Sequence, residues 1–98
     1  MQLSESQKKK LRGLGHQLKP VVTIGSSGLT ESVLEEFIRS LNHHELMKVK
    51  VNAGDRDERD QILNKLCEES GALLLQRVGN IGLFLKLRKK DSKLLLSL

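Results

Sequence analysis

The segment Gly25-Ser26-Ser27-Gly28 has the residue types and the spacing to hold a phosphate group. It follows a short β-branched run and precedes an amphipathic segment, so we expect a strand before it and a helix after it. Glycine permits positive φ and lets another backbone come close. The first turn of the helix adds unpaired N–H groups and the positive end of its dipole. This combination can bind phosphate without a catalytic group, and KH domains hold nucleic-acid backbone with a G-x-x-G loop.

The G-x-x-G pattern is weak by itself, because glycines are also common in ordinary tight connections. A second match, Gly79-Asn80-Ile81-Gly82, lies between two runs with strand character. No helix start follows this second match, so the physical reason for phosphate binding is missing there. We predict a two-residue hairpin turn at Gly79-Asn80 instead.

Basic side chains accompany the first loop in three segments: one side of the first predicted helix, one face of a predicted strand, and the residues after the last strand. Each of these groups alone is typical of a solvated surface, and their coincidence with the loop is what favours a phosphate-binding role. The candidate contact residues are Gly25, Ser26, Ser27, Gly28, Lys8, Arg12, His16, Lys19, Lys48, Lys50, Lys86 and Arg88.

The net charge of +5 and the pI of about 9.6 favour polyanionic partners. Charge is also segregated along the chain. Residues 1–28 carry five Lys or Arg against one acid and residues 72–98 carry six against one, whereas residues 29–47 and 55–71 each sum to −3. If the basic ends meet in space, they form a positive face opposite more acidic elements, and binding should weaken steeply with salt.

The residues that could support catalysis or bind metal do not form a recognisable site. The three histidines have no Cys or carboxylate partner at metal-ligand spacing, and no Lys-Ser/Thr follows either glycine pair as a P-loop requires. Cys67 lies on an apolar helix face, which indicates a buried, unreactive thiol. The acids at 55–60 are explained by the dipole of the helix that begins there. We predict no enzyme activity, no metal, no cofactor and no small-molecule substrate.

The elements that must position the loop follow from hydrophobic periodicity and capping signals. Ser4 and Gln7 have the spacing of a capping box, Thr30 is placed to cap the second helix, and Gly71 is placed to end the third. The apolar stripe of the first helix is predicted to be Leu11, Leu14 and Leu18. The predicted elements are helix 4–19, strand 21–24, helix 31–42, strand 47–51, helix 57–70, strand 73–78 and strand 81–87.

The order αβαβαββ predicts an α/β fold with a mixed four-stranded sheet packed on helices, because the strand–helix–strand units favour parallel pairing and the hairpin adds an antiparallel pair. The two aromatic residues are Phe37, assigned to the core, and Phe84, which we expect could reach the wetter sheet face beside Lys86 and Arg88. One ring is a poor stacking platform, so recognition by shape and backbone is favoured over the reading of splayed bases.

The 98 residues correspond to one domain spanning 1–98, with a tail from about Lys89 that either docks or stays loose. A single cysteine fits a reducing compartment, and no apolar run reaches the ~20 residues that span a bilayer. We therefore expect a soluble, cytoplasmic monomer.

The stretches Leu18–Thr30 and His43–Lys50 resemble the signature of the CRM domain (chloroplast RNA splicing and ribosome maturation), and Gly79 falls where the last hairpin of that family turns. The similarity covers about residues 3–88. A single domain of this kind resembles the bacterial proteins of the YhbY type. The resemblance implies a fold like the C-terminal domain of translation initiation factor three. It also implies RNA binding, with precursors of the large ribosomal subunit as partner and Gly25–Gly28 as the RNA-contacting loop.

Two departures from the family pattern are present. Many members carry a basic residue inside the loop, where this chain has Ser26 and Ser27, and the aromatic-Arg pair of the final strand is replaced by Phe84-Leu85-Lys86. Two other functions remain as alternatives. One is a protein-interaction module that binds a ribosomal protein or translation factor, and the other is an RNA-modifying enzyme or nuclease.

Overall fold

The computed structural model describes residues 3–88, 92, 94, 97 and 98. Its elements follow the predicted order αβαβαββ, which confirms the predicted α/β class. The elements are α1 (Glu5–Gly15), β1 (Pro20–Ile24), α2 (Glu31–His44), β2 (Leu46–Val51), α3 (Arg56–Ser70), β3 (Leu73–Val78) and β4 (Ile81–Leu85).

The four strands form one mixed sheet in the order β1-β2-β4-β3. β1 and β2 are parallel, whereas β4 is antiparallel to both β2 and β3. The central place of β4 agrees with its sequence, Ile81-Gly82-Leu83-Phe84-Leu85, which has no charged residue, and four of its five residues are buried. A strand covered on both faces is expected to lack polar alternation.

Helices α2 and α3 cover one face of the sheet and enclose the larger core. Phe37 of α2 packs edge-to-face on Phe84 of β4, with ring centroids 5.0 Å apart. Both rings are completely buried, so the expectation that Phe84 reaches the wetter sheet face is wrong. The reason is register: Phe84 lies opposite Met47 of β2 and Leu74 of β3, whose side chains belong to the same core.

Helix α1 covers part of the other sheet face. Leu11 is fully buried against Leu46, Leu83 and Leu85. The predicted stripe fails beyond Leu11, because Leu14 and Leu18 are 43% and 37% exposed. The helix ends at Gly15, four residues before the predicted end, so the turn that would have brought Leu18 onto the sheet does not form.

The predicted capping residues hold the helix ends in place. Ser4 and Gln7 form the reciprocal capping box, and the Val33 N–H donates to Thr30 Oγ1 at 3.3 Å. Helix α3 begins at Arg56, one residue before the predicted start, because the Asp55 carboxylate accepts the Glu58 N–H at 2.9 Å. Gly71 ends α3 with a φ of 76°, as predicted.

Three connections meet at one end of the sheet, which we call the loop end: Gly25–Gly28 after β1, 52–55 after β2, and Gly79-Asn80 between β3 and β4. Hydrogen bonds join them. The Asn52 N–H donates to the Ile24 carbonyl and the Val51 N–H to the Asn80 carbonyl, both at 2.7 Å. The Asn80 amide donates to Asn52 Oδ1 at 2.8 Å. The carboxyl ends of two parallel strands and a hairpin turn therefore form one continuous rim.

Glu45 organises the opposite end of the sheet. It is 2% exposed and has a φ of 65°, a positive value that costs energy in a residue with a Cβ. Its carboxylate accepts the Arg88 N–H and the Ser92 hydroxyl, both at 2.7 Å. The Lys86 N–H still donates to the Glu45 backbone carbonyl at 2.8 Å, but the Arg88 N–H donates to the Glu45 side chain and not to a backbone carbonyl. The strand β4 ends at Leu85, two residues before the predicted end.

The prediction for the tail from Lys89 concerns residues of which 89–91, 93, 95 and 96 lie outside the described part of the chain. Within the ranges that the structure describes, no helix combines the length and the apolar character that crossing a bilayer requires.

Candidate nucleic-acid interface

The Gly25–Gly28 loop is a tight turn that is open to solvent. The Gly28 N–H donates to the Gly25 carbonyl at 3.0 Å, and Gly28 has a φ of 76°. Gly25, Ser26 and Ser27 are exposed. The loop leads directly to Thr30, the N-cap of the 14-residue helix α2. Exposed backbone beside a long helix N-terminus is an arrangement that suits anion binding.

The glycines of the two G-x-x-G matches have different structural roles. Gly79 has a φ of 59° in the predicted hairpin turn, and Gly82 is buried where an added Cβ would lie 3.0 Å from a Leu63 methyl. Both glycines of the second match are thus explained by folding. In the first match Gly28 needs its positive φ, but Gly25 does not have one and an added Cβ there would meet no atom within 4 Å. The fold therefore does not require glycine at position 25, in contrast to position 28.

We expect Gly25→Ala and Gly28→Ala to separate ligand binding from folding. Gly25→Ala adds a methyl group at the open surface, so it should lower nucleic-acid affinity about threefold to tenfold with unchanged unfolding free energy. Gly28→Ala places a Cβ at positive φ and should destabilise the protein by about 1 kcal/mol. Urea unfolding and fluorescence-anisotropy titration measure the two effects. A Gly25→Ala protein that binds like wild type would show that the loop is only a connection.

The part of the sheet face that α1 does not cover lies next to the Gly25–Gly28 loop. One row across it runs from Thr23 through Lys50 and Ile81 to Val78, as the strand register shows. Adjacent strands lie about 4.8 Å apart, and Thr23 is two residues before Gly25. Lys50 is therefore on the strand next to the loop, on the same side of the sheet as the open face. Val78 at the far end of the row is 65% exposed.

His16 and Lys48 lie together in the next part of this face. They line a shallow groove whose other walls are Gln76, Val78, Ile81 and Leu83. His16 comes from the turn after α1, and Lys48 is paired with Pro20 on one side and Leu83 on the other. The structure thus places His16, Lys48 and Lys50 on one surface beside the loop. Lys19 is exposed in the connection between α1 and β1.

The remaining predicted cations are not next to the loop. Lys8 and Arg12 line a groove with Glu5 and the start of β3, at the other end of the sheet, and Lys8 Nζ lies 3.6 Å from the Glu5 carboxylate. Lys86 and Arg88 follow β4, beyond the first residue of β2. The length of β2 separates them from the loop end, which corresponds to about 17 Å.

Arg88 has a structural role at that end. Its guanidinium Nη2 is 3.4 Å from Glu45 Oε1. Burial raises the pKa of Glu45, but the hydrogen bonds from the Arg88 N–H and the Ser92 hydroxyl, together with the Arg88 charge, outweigh burial and hold the pKa below its ordinary value of 4.5. Glu45 is therefore a buried carboxylate whose charge is satisfied at this position. The Arg88 side chain is still 48% exposed.

The two faces differ in charge. Helix α1 carries four Lys or Arg and one acid, whereas α2 carries three acids and one Arg, and α3 carries five acids and three Lys or Arg. Because α2 and α3 share one sheet face and α1 packs on the other, the open face with Lys48 and Lys50 lies opposite the acidic helices.

Other reactive groups lie away from this surface. Burial, aided by the Glu68 carboxylate, raises the pKa of the half-buried Cys67 thiol, which reduces its reactivity. In the described segments, no three His, Cys, Asp or Glu side chains are grouped as metal ligands would be.

Sequence reasoning missed two features of the loop end. One is the Asn52–Asn80 hydrogen bond that joins the turns. The other is a groove lined by Arg56, Arg59 and Arg77 together with Gly79 and Asn80. Arg56 and Arg59 do not stand out as basic residues in the sequence, because four acids at 55–60 surround them. Only the pairing of β3 with β4 brings Arg77 to them.

Comparison with known proteins identifies the family. The CRS1 / YhbY (CRM) domain matches residues 3–86, which is most of the chain. This protein belongs to the CRS1/YhbY (CRM) domain family. A CRM-domain relative from Pseudomonas aeruginosa, named "Probable RNA-binding protein PA4753", is 43% identical over 93 residues, which cover 95% of this chain and 89% of the relative. A Haemophilus influenzae protein named "RNA-binding protein" is 49% identical over 79 residues, covering 81% of this chain and 80% of the relative.

The CRM fold of this chain is also found in a solved structure. The solution structure of the hypothetical protein SAV1595 from Staphylococcus aureus is 27% identical to this chain and superposes with a TM-score of 0.78. The match covers 94% of this chain and 96% of the other. The resemblance stated from the sequence is therefore confirmed for both family and fold.

Proposed function

We propose that this CRM-domain protein is a non-catalytic RNA-binding protein that holds RNA backbone with the Gly25–Gly28 loop and the open sheet face beside it. The observation that carries the proposal is the exposed loop at a helix N-terminus, where the fold does not require glycine at position 25. Lys48 and Lys50 extend the same surface and supply positive charge. The names of the Pseudomonas and Haemophilus relatives support RNA as the ligand.

The loop itself brings no charge, because Ser26 and Ser27 are neutral. In this proposal the loop positions a phosphate through backbone N–H groups and the dipole of α2. The lysines nearby provide most of the long-range attraction. Structured RNA is the favoured ligand, because the surface has exposed aliphatic side chains and cations and both aromatic rings are buried.

The proposed target is ribosomal RNA in precursors of the large ribosomal subunit, and the proposed activity is assistance in their assembly. This part rests on the family resemblance. We further propose that residues 1–98 act as one domain, as a monomer in the cytoplasm, without cofactor or metal.

Sedimentation of a cell extract tests this target. The protein should co-sediment with large-subunit precursors at low salt and should leave them at high salt. With two or three phosphates neutralised, RNA affinity should fall roughly tenfold to fortyfold between 50 and 200 mM salt. Nuclease treatment should release the protein. A complex that persists after nuclease digestion would instead support the alternative of a protein-interaction module, and a protein that remains at the top of the gradient would contradict the proposal.

A further inference from the structure

We propose that Arg56, Arg59 and Arg77 form a second phosphate-binding site, which holds the same RNA at the loop end of the sheet. This inference rests on the proposed RNA-binding function and deepens it. It assigns the ligand class, a backbone phosphate, to a groove that sequence reasoning did not detect.

The groove is built from three arginines and a turn. Arg56 and Arg59 come from the first two turns of α3, and Arg77 comes from the end of β3. Gly79 and Asn80 of the hairpin turn complete the lining, in which none of the described residues is acidic. Each guanidinium presents five N–H donors in a planar fork, the geometry that matches phosphate oxygens.

Two of the three arginines are held in position by the protein. Arg77 Nε donates to the Gly79 carbonyl at 3.2 Å, and Arg77 Nη1 is paired with the Asp60 carboxylate. Arg59 Nη1 donates to the Gly54 carbonyl at 3.2 Å. These contacts use only part of the five donors that each guanidinium carries. Side chains fixed in this way lose little further entropy when they bind a ligand.

Arg59 is partly buried at the wall of the groove. Its Nε is buried, and among the described residues it has no hydrogen-bond partner. A buried N–H of a charged group without an acceptor is costly. Because the buried Nε is closed to solvent, a phosphate in the groove that Arg59 lines would bind the remaining Nη donors of this guanidinium.

The acids of this region are outside the groove and partly occupied. The Asp55 carboxylate caps α3, the Asp60 carboxylate pairs with Arg77, and the Glu58 carboxylate lies against Gly54. Asp57 is exposed and is not part of the lining. These acids offset the net charge of the region, so the groove is suited to bind phosphate by directed hydrogen bonds and not by a long-range field.

The groove and the Gly25–Gly28 loop lie on the same rim. The loop follows β1 and the groove adjoins the turn between β4 and β3, so the sheet order separates them by about three strand spacings, ~14 Å. The Asn52 and Asn80 hydrogen bonds join the intervening segments. One RNA strand that crosses the loop end can therefore contact both sites through different phosphates.

Anisotropy titration of a fluorescein-labelled RNA stem–loop at several salt concentrations tests the inference. Arg56→Gln removes an exposed groove cation and should lower affinity about threefold to tenfold, with the slope of log K against log salt reduced by about one. Arg59→Lys keeps the charge but loses the fork, so it should lower affinity with an unchanged slope. The matched control is Arg39→Gln, an exposed arginine of α2, which should bind like wild type.

The possible results distinguish the two proposals. If Arg56→Gln and Arg59→Lys both bind like Arg39→Gln, while glutamate in the loop weakens binding, the groove inference is wrong and the proposed function stands. If the wild-type protein does not bind the RNA at low salt, the proposed function fails as well. Titration with inorganic phosphate tests whether the groove binds a free anion instead of an RNA phosphate. A shift of the Arg59 and Arg77 guanidinium resonances on phosphate addition, without competition by RNA, would assign the groove to a small anion and overturn the inference.

Discussion

The double variant Ser26→Glu, Ser27→Glu is expected to bind RNA about tenfold to a hundredfold more weakly than wild type at low salt. Each new carboxylate would stand about 6 Å from a bound phosphate, where repulsion amounts to ~0.7 kcal/mol in water and more at a partly desolvated surface. Both serines are exposed and outside any regular element, so the free energy of unfolding should change by less than about 0.5 kcal/mol.

A matched control separates the position of the charge from its amount. Asn42→Glu with Asn64→Glu adds the same two charges at exposed positions of α2 and α3, outside the loop and outside the lining of the arginine groove. We expect this control to reduce affinity less than twofold at moderate salt, because screening weakens distant charges. Anisotropy titration of both proteins gives the comparison. Equal losses in the two variants would mean that only net charge matters and that the loop has no specific role.

Glu45→Ala is expected to lower the free energy of unfolding by about 3 kcal/mol. Glu45 is 2% exposed, and its carboxylate accepts hydrogen bonds from the Arg88 N–H and the Ser92 hydroxyl. Hydrogen bonds to a charged group contribute ~1.5–3 kcal/mol each, and their loss leaves donors without an acceptor. For a chain of this length the melting temperature should fall by more than about 10 °C. Glu36→Ala, at an exposed position of α2, is the control and should stay within about 0.5 kcal/mol of wild type.

The same carboxylate predicts a pH dependence of stability. The pKa of Glu45 is lower in the folded protein than its ordinary value of 4.5, so the unfolded state binds the proton more readily. The contribution of Glu45 is therefore complete above about pH 4.5 and is lost as the pH falls through the folded pKa. Urea unfolding between pH 7 and pH 3 should show a smaller acid-induced loss in Glu45→Gln than in wild type. Parallel curves for the two proteins would contradict this role of Glu45.

The features predicted correctly from the sequence depend on local chemistry. Ser4 and Thr30 were identified as helix caps because their side chains serve backbone groups within three residues. The hairpin turn at Gly79-Asn80 follows from glycine at positive φ between two apolar runs. The order αβαβαββ follows from the same local periodicities. The setting of Gly25–Gly28 between strand and helix is also local.

The features that could not be predicted depend on contacts between distant segments. The place of β4 at the centre of the sheet requires its pairing with β2, and burial of Phe84 follows from that register. Neither fact is encoded in the alternation of the strand itself. Likewise, Arg88 appeared to be a surface cation, but its partner Glu45 is 43 residues away in the chain. The arginine groove was missed because Arg77 meets α3 only after the sheet has formed.

The central claim is that RNA lies across the loop end and the open sheet face. Amide chemical-shift mapping of the ¹⁵N-labelled protein, titrated with an RNA stem–loop, tests it most directly. We predict the largest shifts at Ser26, Ser27, Gly28, Lys48 and Lys50, with small shifts along the exposed residues of α2 and of the C-terminal half of α3. Shifts concentrated on the acidic helices, with the Gly25–Gly28 amides unchanged, would contradict the account.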